Sequence, residues 1–403
     1  MNSSFKIKFH TFIQFLLAIL FISLFYYQSM MMVQLSKMDE VKVDYISLIA
    51  LSLVLFISLL TINKFILNQH CDNFLKLIIF LFSAKAIVDM FTDPGNLNSK
   101  IVATLQGLLI PGFVSYFFYV SKNYDLKNYF SKCSFGLLVG LTGTYLYILL
   151  FRNDLAFWGI FASLNASYFL LILLPCIILG DISKFLRVTA IILVAIVVFS
   201  SMKRGGIIAF ILSILVYYIV DAFTLGSSLK NKILVVTSFI LSFTLLLVFI
   251  QIDSYASEYI LGRFESMSED EGSGRLGIYL EVIDKIKHSD PITFIFGHGR
   301  LAVQQVTAYR LPAHNDFLEM FYDYGLLMFI LYSFMHICII KDIFKLVKLG
   351  SKFGSIMAMS YVIFFIFSMI SHVFIYSYFL FFLMLWATIR GTINRENKYE
   401  GRK

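Results

Sequence analysis

Long apolar runs alternate with short polar breaks along almost the whole of the 403-residue chain. Each run is of the length that crosses the hydrocarbon core of a bilayer as a helix, roughly 20 residues. They centre on residues 9–27, 46–63, 76–92, 101–120, 134–151, 155–180, 188–202, 205–222, 233–251, 316–340, 355–371 and 375–389, which predicts about twelve transmembrane helices. The first run follows Lys6 and Lys8 as a signal peptide would. No small-residue cleavage site closes it, so it is expected to remain as the first helix.

Between Gln251 and Ala313 the pattern stops. A connection of about sixty residues without structure or role is improbable, so a small structured cap is expected there. SEDEGSGR is a turn-rich acidic segment. RLGIYLEVIDKIKHSDP then places Leu276, Tyr279, Leu280, Ile283 and Ile286 at helical spacing. That predicts an amphipathic helix along the outer bilayer surface, ended by Pro291. ITFIFGHGR reads as a short extended piece closing on a glycine turn, and LAVQQVTAYR as a second helix. In PAHNDFLEMFYDYGLL, Asn315 is a strong N-cap, so the tenth span is expected to begin at Asn315 or Asp316. The predicted fold is an all-α polytopic membrane protein. Helices 1–9 occupy 1–251, a large loop with short helices 252–313, helices 10–12 314–390, and a basic tail 391–403.

Composition agrees with that pattern. The chain is 59% hydrophobic and 14% charged, where soluble domains carry about a quarter charged residues. The formal net charge of +8 would suit a polyanion partner, but the distribution of the charge argues for orientation instead. With the N-terminus in the cytoplasm, most of the 33 Lys and Arg fall on the inner side, among them Lys341, Lys345, Lys348, Lys352 and the tail Arg390–Lys403. This is the positive-inside bias, with both termini cytoplasmic and the large loop outside. No nucleic-acid partner is implied. Cys71, Cys133, Cys176 and Cys338 all fall towards the inner side, away from an oxidising compartment.

The outer face nevertheless holds cations that run against the bias: Lys203, Arg204, Arg275, Arg300 and Arg310, with His298 and His314. Guanidinium groups grip phosphate in bidentate fashion, so such a cluster suits a phosphate-bearing lipid. Taken singly each has a plainer account. Arg204 and Lys203 could snorkel to headgroups, Arg275 could pair with Glu269, Asp270 or Glu271, His298 could be a turn residue and Arg310 a surface residue. His314 stands out because it precedes the Asn315 cap. Free N–H groups at that helix start would offer an anion site, with His314 at its rim exchanging protons near neutral pH. Asp316, Glu319 and Asp323 follow on one face, the stripe expected to wall a polar pocket with arginine partners. Lys85 and Asp89 are spaced as a self-neutralising intramembrane pair. No HExxH or DxD pattern occurs, and no metal or other cofactor is called for.

SMKRGGIIAF at a span junction, SGRLGIYLEVIDKI and FGHG in the large loop, then AHNDFLEMFYDYGLL with Gly325 ten residues after the asparagine, resemble the O-antigen polymerase/ligase superfamily. A second glycine common three residues further on is Met328 here. The resemblance covers roughly 200–340. It implies a GT-C-type glycosyltransferase in the bacterial inner membrane, acting at the periplasmic face on a glycan carried by undecaprenyl pyrophosphate. Position by position, Arg204 and Arg275 match the superfamily's functional arginines and His314 its histidine. Lys203, His298, Arg300, Arg310, Asn315, Asp316 and Glu319 are then expected to bind substrate. The KRGG and AHNDFLE stretches look more like polymerases, whose acceptor is a second lipid-linked glycan and which work with a chain-length regulator protein. The alternative is a ligase, whose acceptor is lipid A core. A lipid-linked oligosaccharide flippase or other transporter is a further alternative, although no internal repeat supports it. So is a noncatalytic scaffold, which would leave the outer cations unexplained.

Overall fold

The computed structural model describes residues 73–92, 114–151, 166–201, 203–224, 275–308, 310–371 and 379–400, with isolated positions before 73 and at 112. The apolar runs at 46–63 and 233–251, most of those at 9–27 and 101–120, Cys71 and the acidic segment 268–274 lie outside these residues. Among the described residues all regular structure is helical. The helices are α1 (Asn73–Thr92), α2 (Lys127–Phe151), α3 (Ala166–Ile178), α4 (Lys184–Ser200), α5 (Arg204–Thr224), α6 (Arg275–Lys287), α7 (Pro291–Phe296), α8 (Ala302–Val306), α9 (Asp316–Lys348), α10 (Phe353–Ile370) and α11 (Phe379–Glu400). Two compact units divide the chain: Met1–Ile79, Leu108–Phe210 and Ser377–Lys403 form one, and Phe80–Gly107 with Ile211–Tyr376 the other.

In the first unit α2, α4 and α11 pack around α3. The α3 sequence ASYFLLILLPCII is apolar on every side, and Phe169 through Leu174 are buried all round. A helix of that kind belongs at the centre of a bundle. Its Phe169 ring meets Phe381 of α11 edge-on at 5.2 Å. The turn after α3 is tied to the start of α2, where Lys127 pairs with Asp181 at 3.0 Å. Ser183 caps α4 by accepting from the Leu186 amide at 3.2 Å. The exposed face of α4 is then Phe185, Val188, Ile192 and Ile196. An outward apolar stripe at helical spacing is the polarity of a helix facing lipid.

In the second unit α9 and α10 form an antiparallel hairpin, with α6, α7 and α8 packed on the first part of α9. The contacts run in opposite directions along the pair: Tyr332 meets Ser368 at 2.9 Å, and His336 meets Tyr361 at 3.3 Å. Three described helices are long and apolar enough to cross a membrane, Arg204–Thr224, Asp316–Lys348 and Phe353–Ile370. The chain is a helical membrane protein.

The tenth predicted span starts where expected, with Asn315 as its cap, but it is not one helix. Gly325 has φ 78° and ψ 178°, and the chain is broken there. Before the break all three carboxylates are buried. After it the outward residues are Leu327, Ile330, Phe334, Ile337, Ile340 and Phe344, again an apolar stripe. At 1.5 Å per residue, 326–348 is about 35 Å long, enough alone to cross a hydrocarbon core of roughly 30 Å. The charged turns thus form a separate short helix, packed into protein, that leads into the span.

The segment 275–313 is folded as a cap. Ile278, Val282 and Ile286 of α6, Ala302 and Val303 of α8, Ala313 and Tyr322 share one buried core. The amphipathic helix begins at Arg275 as predicted, but its buried face is Ile278, Val282 and Ile286, while Leu276, Leu280 and Ile283 point outwards. Pro291 does not end it. α6 stops at Lys287, and Asp290 caps a new helix with Pro291 in its first turn, where proline's missing N–H costs nothing. The expected extended piece at ITFIF is therefore α7, closed by Gly297.

Candidate active site

The start of α9 is built by its own side chains. Asn315 Oδ1 accepts from the amides of Phe317 at 3.0 Å and Leu318 at 3.2 Å. Glu319 Oε1 reaches back to accept from the His314 amide at 3.2 Å. Together they hold His314 at φ 53°, in the left-handed region. Leu301 and Arg310 are the other non-glycine residues with positive φ among those described, so all three fall on one loop. Such conformations persist only where the surroundings enforce them, and they gather at functional sites. The expectation that free N–H groups here would cradle an anion is corrected, because Asn315 and Glu319 already occupy several of them. Positive charge has to come from side chains.

Arg275 supplies one such charge. It opens α6, is half-buried, and donates one N–H to the Ile370 carbonyl at 3.0 Å. A guanidinium has five N–H donors, so this contact orients the group without saturating it. Tyr279, one turn on, donates to the Met369 carbonyl at 3.2 Å and is hydrogen-bonded to the Asn315 side chain. Burial pushes the Tyr279 hydroxyl above its ordinary pKa, while the Arg275 charge and the Asn315 contact oppose that. The phenol is thus a neutral link between the arginine helix and the histidine turn. The structure brings Arg275, Tyr279, Asn315, Glu319 and His314 into one neighbourhood.

A second set of contacts pins the cap on the break in α9. A β-carbon on Gly325 would lie 2.3 Å from the Ile295 carbonyl oxygen, and one on Gly297 2.3 Å from that of Asp323. The two backbones pass that closely because both residues are glycine with positive φ. The His298 amide donates to the Tyr322 carbonyl at 3.0 Å, and Gly299 to that of Asp323 at 2.8 Å. Carbonyls left open where the helix breaks are so satisfied by FGHG. The His298 ring stacks on Tyr322 at 4.2 Å. The Asp323 carboxylate accepts from the amides of Leu301 at 3.0 Å and Val303 at 2.9 Å. It holds the cap through main chain, which corrects the expected arginine partner.

The Lys85–Asp89 pair forms at 2.6 Å, as its spacing predicts. It is larger than a pair: Tyr324 donates to the other Asp89 oxygen at 2.8 Å, and Lys85 lies over the Tyr324 ring at 5.1 Å. Thr92, at the end of α1, accepts from the Arg300 amide at 3.0 Å. Asp316, buried at 1%, accepts from Tyr332 at 3.1 Å. Below it His336 is enclosed by the rings of Phe317, Tyr332 and Phe364, each within 5.0 Å.

Residues 189–333 match the family model described as Wzy_C: O-Antigen ligase. Over that part the chain is similar to the O-antigen polymerase/ligase superfamily, and the match supports the resemblance read from the sequence. The superfamily match takes in Arg204, Arg275 and His314 and continues past the break at Gly325. No curated protein matches the chain. Within the matched segment, Arg204 and Lys203 belong to the first unit, where Arg204 is the first residue of α5 and Lys203 lies over the Tyr168 ring at 4.6 Å. Arg275, His298, Arg300, Arg310 and His314 belong to the second. Sequence reasoning missed Tyr279, Tyr324, Tyr332, His336 and Thr92. Tyr279 alone carried a signal, since it lies one helical turn from Arg275. The other tyrosines are lost among 23 in the chain.

Proposed function

We propose that the protein is an O-antigen or related surface-polysaccharide polymerase. It transfers a glycan from undecaprenyl pyrophosphate to the non-reducing end of a lipid-linked repeat unit. The setting is the periplasmic face of the bacterial inner membrane, on a GT-C-type frame of about twelve helices with both termini cytoplasmic. The observation that carries the reading is the neighbourhood of Arg275 and His314, joined through Tyr279 and Asn315. Arg275, with Arg204, would clamp the pyrophosphate and stabilise charge on it as it leaves. The acceptor hydroxyl oxygen attacks the anomeric carbon of the donor from the side opposite the pyrophosphate. The carbon–oxygen bond to pyrophosphate breaks, its electron pair leaves with the lipid, and the anomeric centre inverts. His314 takes the hydroxyl proton. The arginines provide the positive charge, so the reading needs no metal. Lys203 and Arg300 add cationic contacts, Arg310, His298, Asn315, Asp316 and Glu319 shape the side that receives the glycan, and a chain-length regulator protein is the expected partner.

The matched family carries the description O-antigen ligase, and that observation supports the second reading, transfer of the finished glycan to lipid A core. A lipopolysaccharide gel from a deletion strain separates the two. Core capped by a single repeat, returned to a ladder by wild type, means polymerase. Bare core with long glycan held on undecaprenyl pyrophosphate means ligase. In either case Arg275→Ala and His314→Ala should lower transfer by about 100-fold or more, the usual cost of removing one aligned transition-state contact. Full transfer by both variants in isolated membranes would sink the assignment.

A further inference from the structure

We propose that the cavity lined by Leu301, Gln304, Gln305 and Arg310 is a saccharide subsite that reads the hydroxyl groups of the transferred or accepting glycan, separately from any contact with lipid pyrophosphate. The inference rests on the glycan-transfer reading and goes beyond it by naming where sugar is recognised. The cavity has a volume of about 430 Å³. That falls inside the roughly 300–1,000 Å³ typical of small-molecule sites.

The lining fits one chemistry better than the other. Each glutamine carboxamide offers an acceptor oxygen and two N–H donors, and the guanidinium adds donors in a planar fork. A sugar hydroxyl both donates and accepts, so it can use the whole set. A pyrophosphate only accepts, so it would use the N–H donors alone and leave the carboxamide oxygens and the Leu301 patch without a role. Leu301 supplies an apolar patch of the kind against which the C–H face of a sugar ring rests. Among the described residues no carboxylate lines the cavity.

The cavity is also held in shape. Asp323, buried at 1%, fixes the Leu301 and Val303 amides. The Gln304 amide donates to the Leu301 carbonyl at 3.1 Å, and the Thr307 amide to Val303 at 3.1 Å. The Arg310 amide donates to Thr307 at 2.9 Å, and the Thr307 hydroxyl to the Leu311 carbonyl at 2.8 Å. Two of the described lining residues, Leu301 at φ 59° and Arg310 at φ 51°, are kept in the left-handed region that side chains normally avoid. Only three residues separate Arg310 from His314 along the chain, so sugar recognition and proton transfer share one pinned loop.

The test uses the full-length protein in detergent and two probes: the oligosaccharide repeat freed of lipid by mild acid, and undecaprenyl pyrophosphate without a glycan. Binding is read by saturation-transfer NMR and calorimetry in wild type, in the double variant Gln304→Leu/Gln305→Leu, and in Arg310→Asn. Asparagine tolerates the left-handed conformation, so that change removes the guanidinium without disturbing the turn. Free oligosaccharide should bind wild type, and its Kd should rise about tenfold or more in each variant, the equivalent of one good hydrogen bond lost. Undecaprenyl pyrophosphate should bind all three alike. Oligosaccharide affinity unchanged in the variants overturns the proposal, as does no binding to wild type at millimolar concentration. Loss of the pyrophosphate probe in Arg310→Asn with oligosaccharide retained makes Arg310 an anion contact and also overturns it. Because these readouts need no turnover, they fail or succeed independently of the Arg275 and His314 transfer assay.

Discussion

At Gly325 two constraints coincide: a positive φ of 78° and an approach of 2.3 Å from a would-be β-carbon to the Ile295 carbonyl oxygen. Alanine there meets both the left-handed penalty and a backbone clash, together about 3 kcal/mol or more. Gly325→Ala should therefore lower the unfolding midpoint of the detergent-solubilised protein and abolish transfer, and an unchanged midpoint would show that the FGHG contact is not needed. Asp323→Asn is a subtler change of similar shape. An amide keeps one acceptor oxygen and turns a donor towards the second N–H, leaving a buried amide unsatisfied at about 1–3 kcal/mol. Hydrogen exchange at Leu301 and Val303 should accelerate while that of α10 stays the same. The spacing of Asn315 and Gly325 was legible in the sequence, but the reason for it was not. A glycine inside an apolar run signals a break or a close approach, and only the partner backbone, nearly thirty residues earlier, decides which.

Among the elements, α6 shows how far periodicity reaches. It marked the helix and its outward apolar residues but missed a second apolar face: Ile278, Val282 and Ile286 lie inward, Leu276, Leu280 and Ile283 outward. Two apolar faces call for two apolar surroundings: protein covers one, and the bilayer surface is proposed for the other. Val282→Asp would put a charge into the cap core and should unseat α6, seen as a lower unfolding midpoint. Leu280→Trp should leave that midpoint alone and, in vesicles, show fluorescence quenched by brominated lipid. Lys285→Trp, on the polar side, should escape quenching; equal quenching of both would remove α6 from the bilayer surface. Pro291 misled for a related reason. Proline forbids a helix interior but favours a first turn, and the Asp290 that precedes it decided between the two. Hydrogen bonds from Thr293 and its neighbours hold the Asp290 carboxyl below its ordinary pKa. The α7 cap is therefore complete above the usual carboxylate range and is lost as the pH falls through that lowered value.

For the whole molecule, composition and charge placement sufficed to read a helical membrane chain, and the outward stripes on α4, α5 and α9 carry the same message in three dimensions. The proposed orientation puts the cap outside and the α9–α10 turn inside. In a background with Cys71, Cys133, Cys176 and Cys338 replaced, Lys287→Cys should react with an impermeant maleimide in intact cells, whereas Leu349→Cys should react only after lysis. The reverse pattern would turn the protein over and end the periplasmic assignment. The break in α9 has a further consequence for how the chain tolerates change in length. In an unbroken helix one inserted residue rotates everything beyond it by about 100°, since 3.6 residues make a turn. Here 316–324 is clamped to the cap by its own hydrogen bonds, so an insertion after Gly325 turns only the lipid-facing half. The cost of a change in length therefore falls on 326–348 and its contacts through Tyr332 with Asp316 and Ser368, while the amides that Asp323 holds keep their bearing.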